Sequence, residues 1–179
     1  MLVLSSSVSI DAAVCMLRRP AGAVPASGQS KNTYRLFLML ILIAGIALRV
    51  WDFGSIPGGV NQDGAMAAVD AKALADYGTD RFGTWLPCHL YAWGYGQMSS
   101  LMSYLIAPFV KLFGLSVVTM RIPSLLCSIA GGVFFWLFMR DVFGERAGLI
   151  AAMLVAINPW HLIQSRWALD CNLLPHFFM

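Results

Sequence analysis

Apolar positions follow one another almost without interruption over residues 36–48, 122–139 and 147–163, and polar or charged residues mark the edges of each run. Runs of this length lack the alternation of a half-buried strand and suit helices, because about 20 residues rising 1.5 Å each cross roughly 30 Å of hydrocarbon. The pattern predicts spans over 34–53, 122–139 and 147–164, with a further one opening at 173. The fold class is therefore all-α integral membrane, a multi-spanning helical bundle. Residues 173–179 are too few to cross a bilayer, so the chain reads as a fragment truncated after about three spans.

Between 54 and 121 the apolar runs shorten and are broken by Gly, Pro, aromatic and charged residues, as in a loop region outside the hydrocarbon. Ile56-Pro57-Gly58-Gly59 is a turn signal. Asn61 or Asp63 then caps a short helix reaching Tyr77, and the stretch from Gly78 to Gly83 ends it. Asp70 follows Asp63 by seven residues and falls on nearly the same helical face. Residues 98–113 are apolar, but Pro108 and Lys111 interrupt them and Gln97, Ser99, Ser100 and Ser103 open them, which favours an interfacial helix over a span.

Composition strengthens the membrane reading: 59% of residues are hydrophobic and 12% charged, against about half and a quarter in soluble domains. The net charge of +3 is scattered at the ends of apolar runs, so nucleic acid is not a partner. Arg18, Arg19, Lys31 and Arg35 precede the first span and place the N-terminus in the cytoplasm by the positive-inside rule. Residues 1–33 read as a disordered cytoplasmic tail and 34–179 as the transmembrane domain, in the plasma (cytoplasmic) membrane, with an outer loop over 54–121. With 98–113 on the surface, the Arg140–Arg146 turn is cytoplasmic, and Arg166 and Asp170 emerge on the same outer side as Asp63. Arg49 is expected to snorkel to the outer interface beside Trp51.

Charged groups close to hydrocarbon are functional candidates when they face a cavity and have partners. The outer surface collects Asp63, Asp70, Arg121, Arg166 and Asp170, with His89 and His161 nearby. A carboxylate can take the proton of an attacking hydroxyl, and arginines can hold a phosphate leaving group. Each residue also has a plainer role. Asp63 can cap a helix, the two arginines can anchor span ends, Asp170 can pair with Arg166 four residues earlier, and both histidines can lie at the interface. The Trp and Tyr residues at 91, 93, 95, 160 and 167 suit a membrane-interface belt. Neither histidine sits in a ligand pattern, and Cys15, Cys88, Cys127 and Cys171 lack CxxC spacing. No metal site or cofactor is therefore assigned, and a divalent ion has no support in the sequence.

The order of several short motifs resembles the N-terminal part of the glycosyltransferase family 39 and protein O-mannosyltransferase-like proteins, in the GT-C class of membrane glycosyltransferases. The matching text is Leu48-Arg49-Val50-Trp51, Asn61-Gln62-Asp63, the stretch from Tyr77 to Gly83, Tyr95-Gly96-Gln97, the stretch from Lys111 to Ser116, Met120-Arg121-Ile122-Pro123, Asn158-Pro159-Trp160-His161 and the stretch from Ser165 to Asp170. The resemblance implies a GT-C bundle that moves a sugar from a polyprenyl-phosphate donor, with inversion, to a glycan, lipid or protein acceptor outside the membrane. It places the catalytic carboxylate at Asp63 and substrate contacts at Arg121, Arg166, Asp170 and Asp70. The family motif is commonly Asp-Glu, and this chain has Asp63-Gly64. Two alternatives stand beside the enzyme: a non-catalytic transporter or lipid-binding scaffold using the same charges, and an inactive gene fragment. The fragment alone is expected to be inactive.

Overall fold

The computed structural model describes residues 31–92 and 96–177. Nearly all of the expected tail, together with Trp93, Tyr95 and Cys15, lies outside them. Helix α1 spans Lys31–Val50, α2 Gln62–Tyr77, α3 Leu101–Phe113, α4 Val117–Phe143, α5 Glu145–Ile157, α6 Pro159–Gln164 and α7 Asp170–Phe177. A two-stranded antiparallel hairpin, β1 His89–Ala92 and β2 Gly96–Ser99, precedes α3.

Helices α1 and α4 are each long and apolar enough to cross a membrane. Both leave most of their residues unburied, and α1 turns Leu36, Met39, Leu40 and Ile43 outward while burying only Gly45 and Arg49. That arrangement is the reverse of a soluble core helix, whose apolar stripe faces inward. Arg49 thus departs from the expected snorkelling position: its guanidinium enters the bundle and is 4% exposed. Gly45, one turn earlier, lets α1 approach α5 closely, since a Cβ there would stand 3.1 Å from that of Ala156.

The single run read over 147–164 is two helices, α5 and α6, meeting at Asn158. Pro159 has no N–H to continue α5, and the Asn158 side chain turns instead to the N–H groups of Trp160 and His161. Helices α4 and α5 join through Gly144 alone, at φ 94°, and Gly148 packs against the Arg140 backbone, where a Cβ would meet Cα at 3.1 Å.

Most of the region between α1 and α4 is built on α2 and α3. A small-residue face of α2 (Ala67, Ala68, Ala71) meets Met102, Ile106 and Val110 of α3, and Ala168 and Leu173 close the cluster from the chain's end. The Ser103 hydroxyl donates to the Ala67 carbonyl at 3.0 Å, and Lys111 Nζ donates to that of Ala75 at 2.7 Å. At 13 residues, α3 is about 20 Å long, shorter than the hydrocarbon thickness. The interfacial helix read over 98–113 begins at Leu101, because residues 98 and 99 belong to β2.

Candidate active site

Asn61 caps α2: its side-chain oxygen accepts from the Asp63 N–H at 2.9 Å. Asp63 therefore sits in the first turn, exposed to solvent, at the positive end of the helix dipole. The helix closes at Gly78, φ 73°, whose N–H donates to the Leu74 carbonyl.

Asp70 lies on the same helical face but in a different setting. It is 1% exposed beneath the 80–84 turn, and Oδ1 accepts the Arg81 N–H at 3.1 Å with Arg81 Nε at 3.8 Å. Burial raises its pKa above the ordinary carboxylate range, outweighing the Arg81 hydrogen bond and charge, while Asp80 nearby adds to the rise. Seven residues separate Asp63 and Asp70, or about 10 Å of helix rise, and only Asp63 reaches the helix end.

Asp170 opens α7, and Oδ1 accepts the Met102 N–H at 3.0 Å, satisfying a donor in the first turn of α3. The i,i+4 pair with Arg166 does not form, since residues 165–169 leave helical geometry between α6 and α7. Asp170 lies near Asp63, because Gly64 packs on Ala168, two residues before it. Its pKa is raised, first by burial and also by the Asp63 charge, against the lowering effect of the Met102 hydrogen bond. A second carboxylate thus stands close enough to feel the Asp63 charge, where the sequence has glycine beside Asp63.

Position 64 has no room for a side chain, because a Cβ would stand 2.8 Å from the Ala168 carbonyl oxygen. Gly64 is what lets the start of α2 pack on the segment leading to Asp170. Gly64→Ala is expected to lower the thermal unfolding midpoint in detergent. Overpacking against backbone costs about 1–3 kcal/mol and exceeds the helix-propensity gain of about 1 kcal/mol. An unchanged or raised midpoint would show that the segment yields freely.

Arg121 and Arg166 are 3% and 7% exposed, and among the described residues neither meets a carboxylate within ion-pair distance. Both turn to the loop after α1. Arg121 donates to the carbonyls of Phe53, Gly54 and Ile56 through Nη1 and to those of Pro57 and Gly59 through Nη2, at 2.8–3.4 Å. Arg166 donates to Ile56 at 3.2 Å and to Leu48 and Trp51 at 2.6 Å each. The loop from Leu48 to Gly59 is wrapped around two guanidinium groups. A cavity of about 180 Å³ lies against them, lined also by Gly58, Gly59, Asn61 and Gly64.

Arg121 and Arg166 line this cavity, and Asp63 and Asp170 lie next to its lining residues Gly64 and Ala168 in the chain, whereas Asp70 is held apart under the 80–84 turn. His89 lies on β1 beside a separate polar cavity. His161, expected at the interface, is buried at 1% exposure and contacts Arg49. Among the described residues no group of three or more His, Cys, Asp or Glu side chains is placed to hold a metal. The Arg49–His161 contact went unread in the sequence, although an arginine one turn after a glycine and an Asn-Pro pair before the histidine are both visible there.

Residues 98–178 match the family described as dolichyl-phosphate-mannose-protein mannosyltransferase. The match bears out the resemblance to a family 39-like glycosyltransferase read from the sequence. It takes in α3 to α7 with Arg121, Arg166 and Asp170, somewhat less than half of the chain, and leaves Asp63 and Asp70 outside. No curated protein and no solved structure matches the chain.

Proposed function

With that likeness over its second half, we propose that the chain carries the outer active site of a membrane mannosyltransferase, which moves a sugar from a polyprenyl-phosphate donor to an acceptor hydroxyl. Asp63 is the general base. It takes the hydroxyl proton as the acceptor oxygen bonds to the anomeric carbon from the face opposite the phosphate. The bond between that carbon and the phosphate oxygen breaks, its electron pair leaves with the polyprenyl phosphate, and the sugar configuration inverts. Asp170 holds the sugar or acceptor hydroxyl opposite Asp63. Arg121 and Arg166, held by backbone carbonyls, contribute a fixed positive field to the cavity where the phosphate charge develops. Asp70 supports the helix from the far side of the 80–84 turn.

The observation that carries this reading is a cavity lined by two buried arginines, at which the packing of Gly64 on Ala168 brings the segments of Asp63 and Asp170 together. The break at Asn158 is the feature a transporter reading would claim, since broken helices line ligand sites in transporters. Its free carbonyls are taken by Arg49 and are not open to a ligand.

Membrane vesicles containing the full-length protein, supplied with polyprenyl-phosphate mannose and an extract of acceptor glycans, lipids and peptides, are expected to release mannose from the carrier into a new glycosidic product. Release no greater than in vesicles lacking the protein would remove the enzyme reading.

A further inference from the structure

Helix α5 ends with carbonyls that its own backbone cannot satisfy. The Val155 oxygen would take the N–H of residue 159, which is proline, and the Trp160 N–H that would serve Ala156 goes to the Asn158 side chain at 2.9 Å. Arg49, from the last turn of α1, supplies the missing donors. Nη2 donates to Val155 at 2.9 Å, and Nη1 donates to Ala156 at 3.5 Å and to Gly45 at 2.9 Å. Nε donates to the Ser128 hydroxyl of α4 at 3.1 Å, and Nη2 also to His161 Nδ1 of α6 at 2.7 Å. A guanidinium has five N–H donors, and these contacts give each an acceptor. Because arginine only donates, His161 Nδ1 is the acceptor there and the imidazole is neutral with its proton on Nε2.

The chain repeats the device in the opposite direction. Helix α1 ends at Val50, and the Leu48 and Trp51 carbonyls at that end are met by Arg166, which follows the broken helix pair. The arginine of α1 thus closes the end of α5, and the arginine after α6 closes the end of α1. Each places a cation at a helix C-terminus, where the macrodipole favours it. The segment running out of α1 carries Asp63, and the segment running out of α6 carries Asp170.

We infer that Arg49 and Arg166 are reciprocal positioning residues, with His161 and Ser128 orienting Arg49, and that they set the register in which Asp63 faces Asp170. Neither Arg49 nor His161 touches the cavity beside Asp63. Their effect on transfer passes through the two loops.

This inference rests on the proposed transferase reading for its kinetic test but also has a readout independent of turnover. Arg49→Lys keeps the charge with three donors and leaves at least two acceptors unmet. It is expected to lower kcat by up to about 100-fold, the scale on which a 1 Å misplacement acts, while KM for the polyprenyl-phosphate donor stays the same. His161→Asn keeps an acceptor near the Nδ1 position and retains turnover, whereas His161→Leu removes it and behaves like Arg49→Lys. This pair decides the matter if the arginine variant does not fold. Nitroxides at Asp63→Cys and Asp170→Cys, with the other cysteines replaced by serine, report the register directly. Their dipolar broadening is expected to weaken on adding Arg49→Lys or His161→Leu and to persist with His161→Asn. Broadening unaffected by all three, or equal losses in both His161 variants, would overturn the inference. If the broadening follows this order while Asp63→Asn leaves transfer intact, the positioning pair stands and the assignment of Asp63 falls.

Discussion

Asp63→Asn in the full-length protein is expected to lower the rate of sugar transfer by about 10²- to 10⁴-fold, the contribution of a well-placed general base. The substitution changes one oxygen into an amide nitrogen on an exposed residue and leaves the Asn61 cap to the Asp63 backbone in place. Folding and donor binding should therefore be little affected. A base acts in the transition state, so the loss belongs in kcat and kcat/KM alike, with KM for the donor unchanged. The asparagine also removes a charge that adds to the rise in the Asp170 pKa caused first by burial. Asp170 is then expected to titrate lower in the variant, as seen by infrared difference spectroscopy of its carboxyl band. A variant that transfers sugar at the normal rate would exclude Asp63 as the base.

Arg121→Ala is expected to act on stability first. One guanidinium gathers five loop carbonyls between Phe53 and Gly59, and hydrogen bonds to a charged group contribute about 1.5–3 kcal/mol each before water replaces them. Water from the adjoining cavity can reach some of these oxygens, so a net loss of about 3 kcal/mol is expected and not the full sum. The loop next to Asn61 then loses its fixed path, and Asp63 loses its placement with it. Arg121→Lys should recover only part of both effects, because an ammonium presents three donors to five acceptors. Thermal unfolding in detergent, paired with protease cleavage of the loop between Asp52 and Gly59, checks this. A loop as resistant in Arg121→Ala as in the parent would contradict it.

The elements that could be read from the sequence are those whose cause is local. Asn61 before the α2 pattern and Gly78 after it mark a helix by capping alone, and both ends fall where the residues place them. The runs over 36–48 and 122–139 are helical because no alternation interrupts them, and their outward-facing apolar side chains suit a lipid environment. The hairpin was not legible: His89–Ala92 and Gly96–Ser99 are four-residue strands too short to show a period, and only their mutual pairing makes them strands. The break at Asn158 was hidden by averaging, since apolar residues continue on both sides of the Asn-Pro pair.

At the site, residue types were legible and their orientations were not. Hydropathy says that Arg49 stands at the end of a span but not that it faces Ser128 and His161, residues 79 and 112 positions away. The acceptors of Arg121 and Arg166 are backbone carbonyls, which no residue letter records. The approach of Asp170 to Asp63 depends on Gly64 meeting the Ala168 carbonyl, a contact across more than a hundred residues. A glycine that breaks the expected acidic pair is thus also the residue that brings a different carboxylate to Asp63.

A shared active site requires Asp63 and Asp170 to lie on one face of the membrane. Single Asp63→Cys and Asp170→Cys variants, each in a background with the four native cysteines replaced, can be treated with a membrane-impermeant thiol reagent in sealed vesicles of known orientation. The prediction is that both positions are modified from the external side without permeabilisation. Modification of one of them only after the membrane is opened would place the two carboxylates on opposite sides and contradict the shared site.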